Sequence, residues 1–142
     1  RRTHLYHPGT SGALTPDHFD LSDSSARILH LGLPGLHAQM DKPWGDDPNG
    51  WVTVLRAAQA AGLKTNFELC SLPAERLAHI VSPCLAHLDY LIVNEFEIAA
   101  IASRPVAHGE DTDINACLAN ALRVLDDGAM ELVIVHFPGP FF

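Results

Sequence analysis

The sequence predicts an α/β domain built on a doubly wound, mostly parallel sheet with flanking helices. Three observations carry this. Short β-branched and leucine-rich runs alternate with stretches of helical periodicity, the mark of strands joined by crossover helices. Four such runs occur, half the number a closed (β/α)8 barrel needs. The last crossover is also long.

The elements follow in order. Ile28-Leu29-His30-Leu31-Gly32-Leu33 reads as a buried strand ended by Pro34-Gly35, and 41–50, rich in Pro, Gly and Asp, as a loop. Trp51, Val54, Leu55, Ala58 and Ala61 fall at helical spacing, with Gly62 at the C-terminal cap. Lys64 to Leu69 is a second strand. Pro73 then opens a short helix with Leu77, Ile80 and Val81 on its inner face. Tyr90-Leu91-Ile92-Val93 is a third strand, apolar enough to be buried on both faces, and a helix follows from Asn94 to about Ala102. Beyond a polar loop, Ile114, Cys117, Leu118, Ala121, Leu122 and Leu125 form one amphipathic stripe, stopped by Asp127-Gly128. Leu132 to Val135 is the fourth strand. The first segment differs, because Thr3 to His7 reads as a strand with no helix before the next turn, part of a separate small sheet or flap.

Composition narrows the function classes. At 142 residues and 47% hydrophobic, the chain can bury one core. No run of 18 apolar residues exists to span a membrane, and no apolar signal-peptide core follows Arg1-Arg2. Seventeen acids against nine Lys and Arg give a net charge of −8. Without a clustered basic face, nucleic acid is not an expected partner. Cys70, Cys84 and Cys117 are odd in number and far apart, which suits small buried hydrophobes in a reducing cytoplasm. None of the nine histidines stands in a metal-binding spacing such as HExxH. With no initiator Met and a strand-like start, the chain reads as an internal portion of a longer polypeptide.

Ligands of parallel sheets bind beyond the carboxyl ends of the strands. There the chain places Gly32-Leu33-Pro34-Gly35, Glu68-Leu69-Cys70-Ser71, Asn94-Glu95-Phe96-Glu97 and His136-Phe137-Pro138-Gly139. In the third, Asn94 and Glu97 stand three apart at a helix start. Hard oxygen ligands there suit a hydrated Mg²⁺ bridged to phosphates. The same pair is also a capping box, which needs no ligand. Gly32 to Gly35 reads as an ordinary strand-ending turn. No Walker, GxGxxG or GxSxG motif occurs.

The order of these segments resembles the ribokinase-like (phosphofructokinase-B family) carbohydrate kinases. Arg2-Thr3-His4-Leu5-Tyr6-His7-Pro8-Gly9-Thr10-Ser11-Gly12-Ala13-Leu14 is similar to the family's lid strand and its Pro-Gly-Ala-Asn turn. Ile28 to Gly32 is similar to its leu-his-leu-ser-gly strand, and Asn94-Glu95-Phe96-Glu97 to its Asn-x-x-Glu signature. The resemblance implies Mg²⁺- and ATP-dependent phosphoryl transfer to a hydroxyl of a sugar or nucleoside. It implies Asn94 and Glu97 at the metal and phosphates, and Asn66 and Glu68 on the nucleotide-phosphate side. His7 and Thr10 would lie in the substrate lid, with Thr10-Ser11 in place of the usual Ala-Asn. The expected division is a lid at 1–14 and an incomplete core at 15–142. A lone lid strand favours a homodimer through the lid. The family's Gly-Ala-Gly-Asp motif, which carries the catalytic base, is absent from the sequence and would follow the fourth strand. The alternatives are a non-catalytic sugar-sensing or regulatory module, or part of a (β/α)8 enzyme.

Overall fold

The computed structural model describes Leu5 and residues 7–107, 112–128 and 130–137. Four strands, β1 (Ile28–Leu31), β2 (Lys64–Glu68), β3 (Tyr90–Asn94) and β4 (Leu132–His136), form one parallel sheet in the order β1-β2-β3-β4. Helices α1 (Gly50–Ala60), α2 (Ala74–Val81), α3 (Glu95–Ile101) and α4 (Ile114–Gly128) fill the crossovers. Each strand begins where the sequence places it, and the ends differ by one or two residues.

Alternation along the strands decides which side chains meet the helices. Leu31, Phe67, Leu91 and Val93 point one way and are buried with Trp51, Leu55, Leu77 and Val124 in the main core. Ile28, Ile92, Leu132 and Ile134 point the other way and are 41–52% exposed. Two expectations are corrected here. β3 is buried on one face only, and the described helices flank a single face of the sheet rather than both. The physical reason is strand order. Right-handed crossovers laid down in one direction put every helix on the same side, and a helix reaches the other face only where the order reverses. No reversal occurs among the described strands.

The amphipathic stripe of α4 also divides. Cys117 and Ala121 are buried with Asn120 and Val124, and Leu125 is half-buried. Ile114, Leu118 and Leu122 are 52–62% exposed. The stripe is wider than the groove that receives it.

Local chemistry fixes the ends of the elements. Asn49 caps α1, its Oδ1 accepting from Val52 N at 3.0 Å while its amide donates to Ile80 O at 2.9 Å. Gly62, at φ +79°, follows α1 in the left-handed conformation that glycine adopts without strain. Asp41 holds the long loop before α1: its Oδ1 accepts from Gly35 N and from Trp51 Nε1, each at 2.9 Å.

At the amino-terminal end, Thr3, His4 and Tyr6 of the expected lid strand lie outside the described residues. Leu5 is exposed, His7 and Pro8 are not in a strand, and Gly9–Ala13 is a 3-10 turn. Ser11 O lies 3.1 Å from His37 Nδ1, and Leu14 packs on the core. No described helix is long and apolar enough to cross a membrane.

Candidate functional site

At the carboxyl end of β3 a polar turn opens α3. Asn94 Oδ1 accepts from Phe96 N and Glu97 N, both at 2.9 Å, and Glu97 Oε2 accepts from Asn94 N at 3.0 Å. The capping box is complete. It occupies both lobes of Asn94's acceptor oxygen and one carboxylate oxygen of Glu97, whose side chain is buried.

Glu95 is the surprise of this segment. It is almost fully buried, and its Oε2 has no hydrogen-bond partner, while the neighbouring Phe96 is exposed. The sequence held the signal: Glu95 shares a helical face with Ile98, Ala99 and Ala102, at i+3, i+4 and i+7. Its charge and that of Asp113 add to burial in pushing the Cys117 thiol up.

Asn66 and Glu68 meet each other through a residue the sequence did not single out, His30. The Asn66 amide donates to His30 Nδ1 at 2.7 Å, and in that tautomer His30 Nε2 donates to Glu68 Oε2 at 2.9 Å. Asn66 is 9% exposed and its Oδ1 has no partner. The register puts His30, Asn66, Glu68, Asn94 and His136 on the open face, with the polar groups gathered toward the carboxyl ends of the strands. The predicted pairs, Asn94 with Glu97 and Asn66 with Glu68, therefore stand on adjacent strands. No described contact joins them. Among the described residues no recorded contact joins His7 or Thr10 to either pair, and His7 Nδ1 accepts from Gly9 N at 3.1 Å within its own turn.

The Gly32-Leu33-Pro34-Gly35 turn is built for packing. A Cβ on Gly32 would stand 2.6 Å from Glu68 O, and one on Gly35 would stand 2.3 Å from a Leu72 methyl. These glycines let the loop after β1 lie against the end of β2, which accounts for them without a phosphate. Cys70 follows β2, its thiol donating to Pro34 O at 3.1 Å. Burial pushes it up, and the charges of Glu97 and Asp41 push the same way. Burial pushes Cys84 to about 12, so it is an inert core thiol. All three cysteines are free.

Between α2 and α3 runs a groove of about 790 Å³, with Leu72, Ala78, Phe96, Glu97, Ala100 and Arg104 in its walls. Glu97 thus stands between the cap and an open groove. Among the described residues no group of three His, Cys, Asp or Glu side chains could hold a metal ion by itself.

A topology of this kind is shared with known enzymes. The chain matches the crystal structure of 2-dehydro-3-deoxygluconokinase from Thermotoga maritima with a TM-score of 0.65 over 87% of its length, at 18% identity. It has the fold of part of a sugar kinase. The match spans 37% of that enzyme. A candidate sugar kinase from Clostridium perfringens aligns over 78% of this chain and 27% of its own, at 17% identity and a TM-score of 0.47, too low to weigh. No family model and no curated protein matches the sequence. The kinase likeness also bears on the barrel alternative. A run of strands in consecutive order with helices on one side occurs in half a barrel too, and it is the overall match that favours the kinase fold.

Proposed function

We propose that this chain is the phosphate-binding part of a carbohydrate kinase, which transfers the terminal phosphoryl group of ATP to a hydroxyl of a sugar or nucleoside. The observation that carries the reading is the Asn94–Glu97 pair, seated at the carboxyl end of a central parallel strand in a fold shared with a sugar kinase. In the reaction, the acceptor oxygen forms a bond to phosphorus, the bond to the ADP oxygen breaks, and the hydroxyl proton passes to a base. No Gly-Ala-Gly-Asp motif that would supply this base occurs in the sequence.

The residues present fit a hydrated Mg²⁺. The cap takes up the Asn94 oxygen with two backbone N–H groups and leaves one Glu97 oxygen uncommitted, so Glu97 is the group of this turn that would reach a water of the ion's shell, with Asn94 holding it in place. When bound, Mg²⁺ would neutralise the charge of the phosphate oxygens through its own water shell. Glu97 would orient those waters, while the cap keeps its carboxylate from rotating away. Asn66 and Glu68, tied by His30, would stand on the nucleotide-phosphate side, and His7 and Thr10 would belong to the lid. The division into a lid at 1–14 and an incomplete core at 15–142, a cytoplasmic location and a homodimer through the lid belong to the same reading. A capping box that closes with the chain's own atoms needs no catalytic role for Asn94 and Glu97, which leaves a second reading, a non-catalytic sugar-sensing or regulatory module.

The test is made on a polypeptide that carries residues 1–142 together with the downstream catalytic segment. ADP formation should require Mg²⁺, and Glu97→Gln should raise the Mg²⁺ needed for half-maximal turnover about tenfold or more. An unchanged Mg²⁺ response would leave Glu97 a helix cap, whereas no ADP formation at all would favour the sensing module. The 142-residue chain alone should transfer no phosphate.

A further inference from the structure

Three side chains on the open face, His30, Asn66 and Glu68, constrain one another's hydrogens. Register sets His30 opposite Asn66, and Glu68 follows two residues on along the same face of β2. Ionised Glu68 offers only lone pairs, so a neutral His30 ring, 2.9 Å from Oε2, carries its hydrogen on Nε2. Nδ1 then keeps a lone pair, and Asn66, 2.7 Å away, meets it with the amide NH2. This choice turns Asn66 Oδ1 away from the ring, where it is buried and has no partner.

We propose that His30 is a proton-operated switch that inverts the Asn66 amide. An imidazolium carries a hydrogen on each nitrogen. Its Nε2–H keeps Glu68, and the contact becomes an ion pair. Its Nδ1–H would face the Asn66 amide hydrogens across 2.7 Å, two donors with no acceptor between them. A half-turn of the amide about its terminal torsion, which has a broad and roughly two-fold profile, removes the conflict. Oδ1 then accepts from Nδ1–H, and the NH2 group takes the buried place that Oδ1 leaves. One proton on His30 thus exchanges an unpartnered acceptor for an unpartnered donor.

The surrounding charges leave the ring to Glu68. Among the described residues, Glu68 is the one charged side chain in recorded contact with His30. The other titratable groups of the open face stand apart. Lys64 and Tyr90 are bound to Glu131 at the amino ends of the strands, and His136 lies on β4, at the opposite edge of the sheet. If Asn66 and Glu68 stand on the nucleotide-phosphate side, the neutral ring leaves acceptors that repel phosphate oxygens, and the protonated ring offers them a donor. That consequence rests on the kinase reading, whereas the switch itself needs only the three side chains.

The experiment is nitrogen NMR of the isotope-labelled 142-residue chain at about pH 8 and about pH 5, which bracket the usual charge change of histidine. At the upper pH, His30 should carry its proton on Nε2, and a scalar coupling across the hydrogen bond should join Nδ1 to Asn66 Nδ2. At the lower pH both ring nitrogens should be protonated and the coupling lost. The Asn66 amide resonances should shift, while nuclear Overhauser contacts between the ring and the Asn66 β-protons persist. Glu68→Gln, whose amide donates as well as accepts, should lower the coupling at the upper pH, with far-ultraviolet circular dichroism to check the fold. A proton on Nδ1 at the upper pH, or a Glu68→Gln coupling equal to the parent's, overturns the tautomer on which the switch depends. Ring contacts that vanish at the lower pH overturn it as well, because the ring then swings away and the amide does not turn. None of these readouts involves phosphoryl transfer, so a failed switch and a failed kinase reading are told apart.

Discussion

Replacing Glu97 by Gln and by Ala separates the acceptor in the capping box from its charge. In the native chain Glu97 Oε2 accepts from Asn94 N at 3.0 Å, inside a largely buried first turn. A glutamine in its place would keep an acceptor of the same reach, and the box tolerates Gln at this position. What is lost is the charge. A hydrogen bond to a charged group is worth about 1.5–3 kcal/mol and a neutral one about 0.5–1.5, so Glu97→Gln should cost about 1 kcal/mol. Glu97→Ala removes the acceptor itself. It leaves the half-buried Asn94 N–H without its partner, a loss toward the upper part of about 1–3 kcal/mol because the missing acceptor was charged. Glu97→Ala should therefore cost about 2–3 kcal/mol, clearly more than Glu97→Gln. Urea titration of the 142-residue chain, followed by far-ultraviolet circular dichroism, reads both through the midpoint at constant slope. If Gln and Ala cost the same, charge rather than acceptor geometry holds the turn, which refutes the reasoning. If Ala is within about 0.5 kcal/mol of the parent, the box contributes nothing to stability.

Two further outcomes are expected. Gly32→Ala sets a Cβ 2.6 Å from Glu68 O, a backbone atom that cannot swing aside, and should cost about 1–3 kcal/mol in the same titration. Gly12→Ala, whose Cβ would make an ordinary 3.5 Å contact with Pro8, should stay within about 0.5 kcal/mol of the parent; equal effects at the two sites would refute the packing account of Gly32. His87 is held below its ordinary value, first by burial and then by the charge of Arg56. A lowered folded-state value favours neutral His87 in the native chain. Its contribution is complete above about pH 6.5, the unfolded value, and is lost as pH falls through the folded one. Thermal scans between neutral and mildly acidic pH should show a smaller acid loss for His87→Gln than for the parent; parallel curves would remove His87 from the acid sensitivity.

The elements were legible because their causes are local. Helical spacing in Trp51–Ala58, a Gly after the last turn, β-branched runs at 90–93 and 132–135, and Asn and Glu three apart each act within a few residues. Asn94–Glu97 could be named from sequence for the same reason, as could both of its meanings. Glu95 was equally readable by its helical phase, yet a charge beside a cleft invites the opposite placement. Its burial shows that the phase of the helix outweighed the preference of a carboxylate for water.

What only the tertiary structure decided depends on residues far apart in the chain. Asn66, His30 and Glu68 meet because β1 and β2 align His30 with Asn66, across 36 residues of sequence. The apolar stripe of α4 is split by the limited groove its neighbours leave, and helix periodicity cannot report the width of a groove. The exposed face of the sheet follows from strand order and crossover hand, which side-chain pattern alone does not carry. The sequence by itself determined an α/β chain of four strands and a capped turn at the end of the third. Tertiary structure decided which face of those strands is covered, because handedness acts on the order of whole elements.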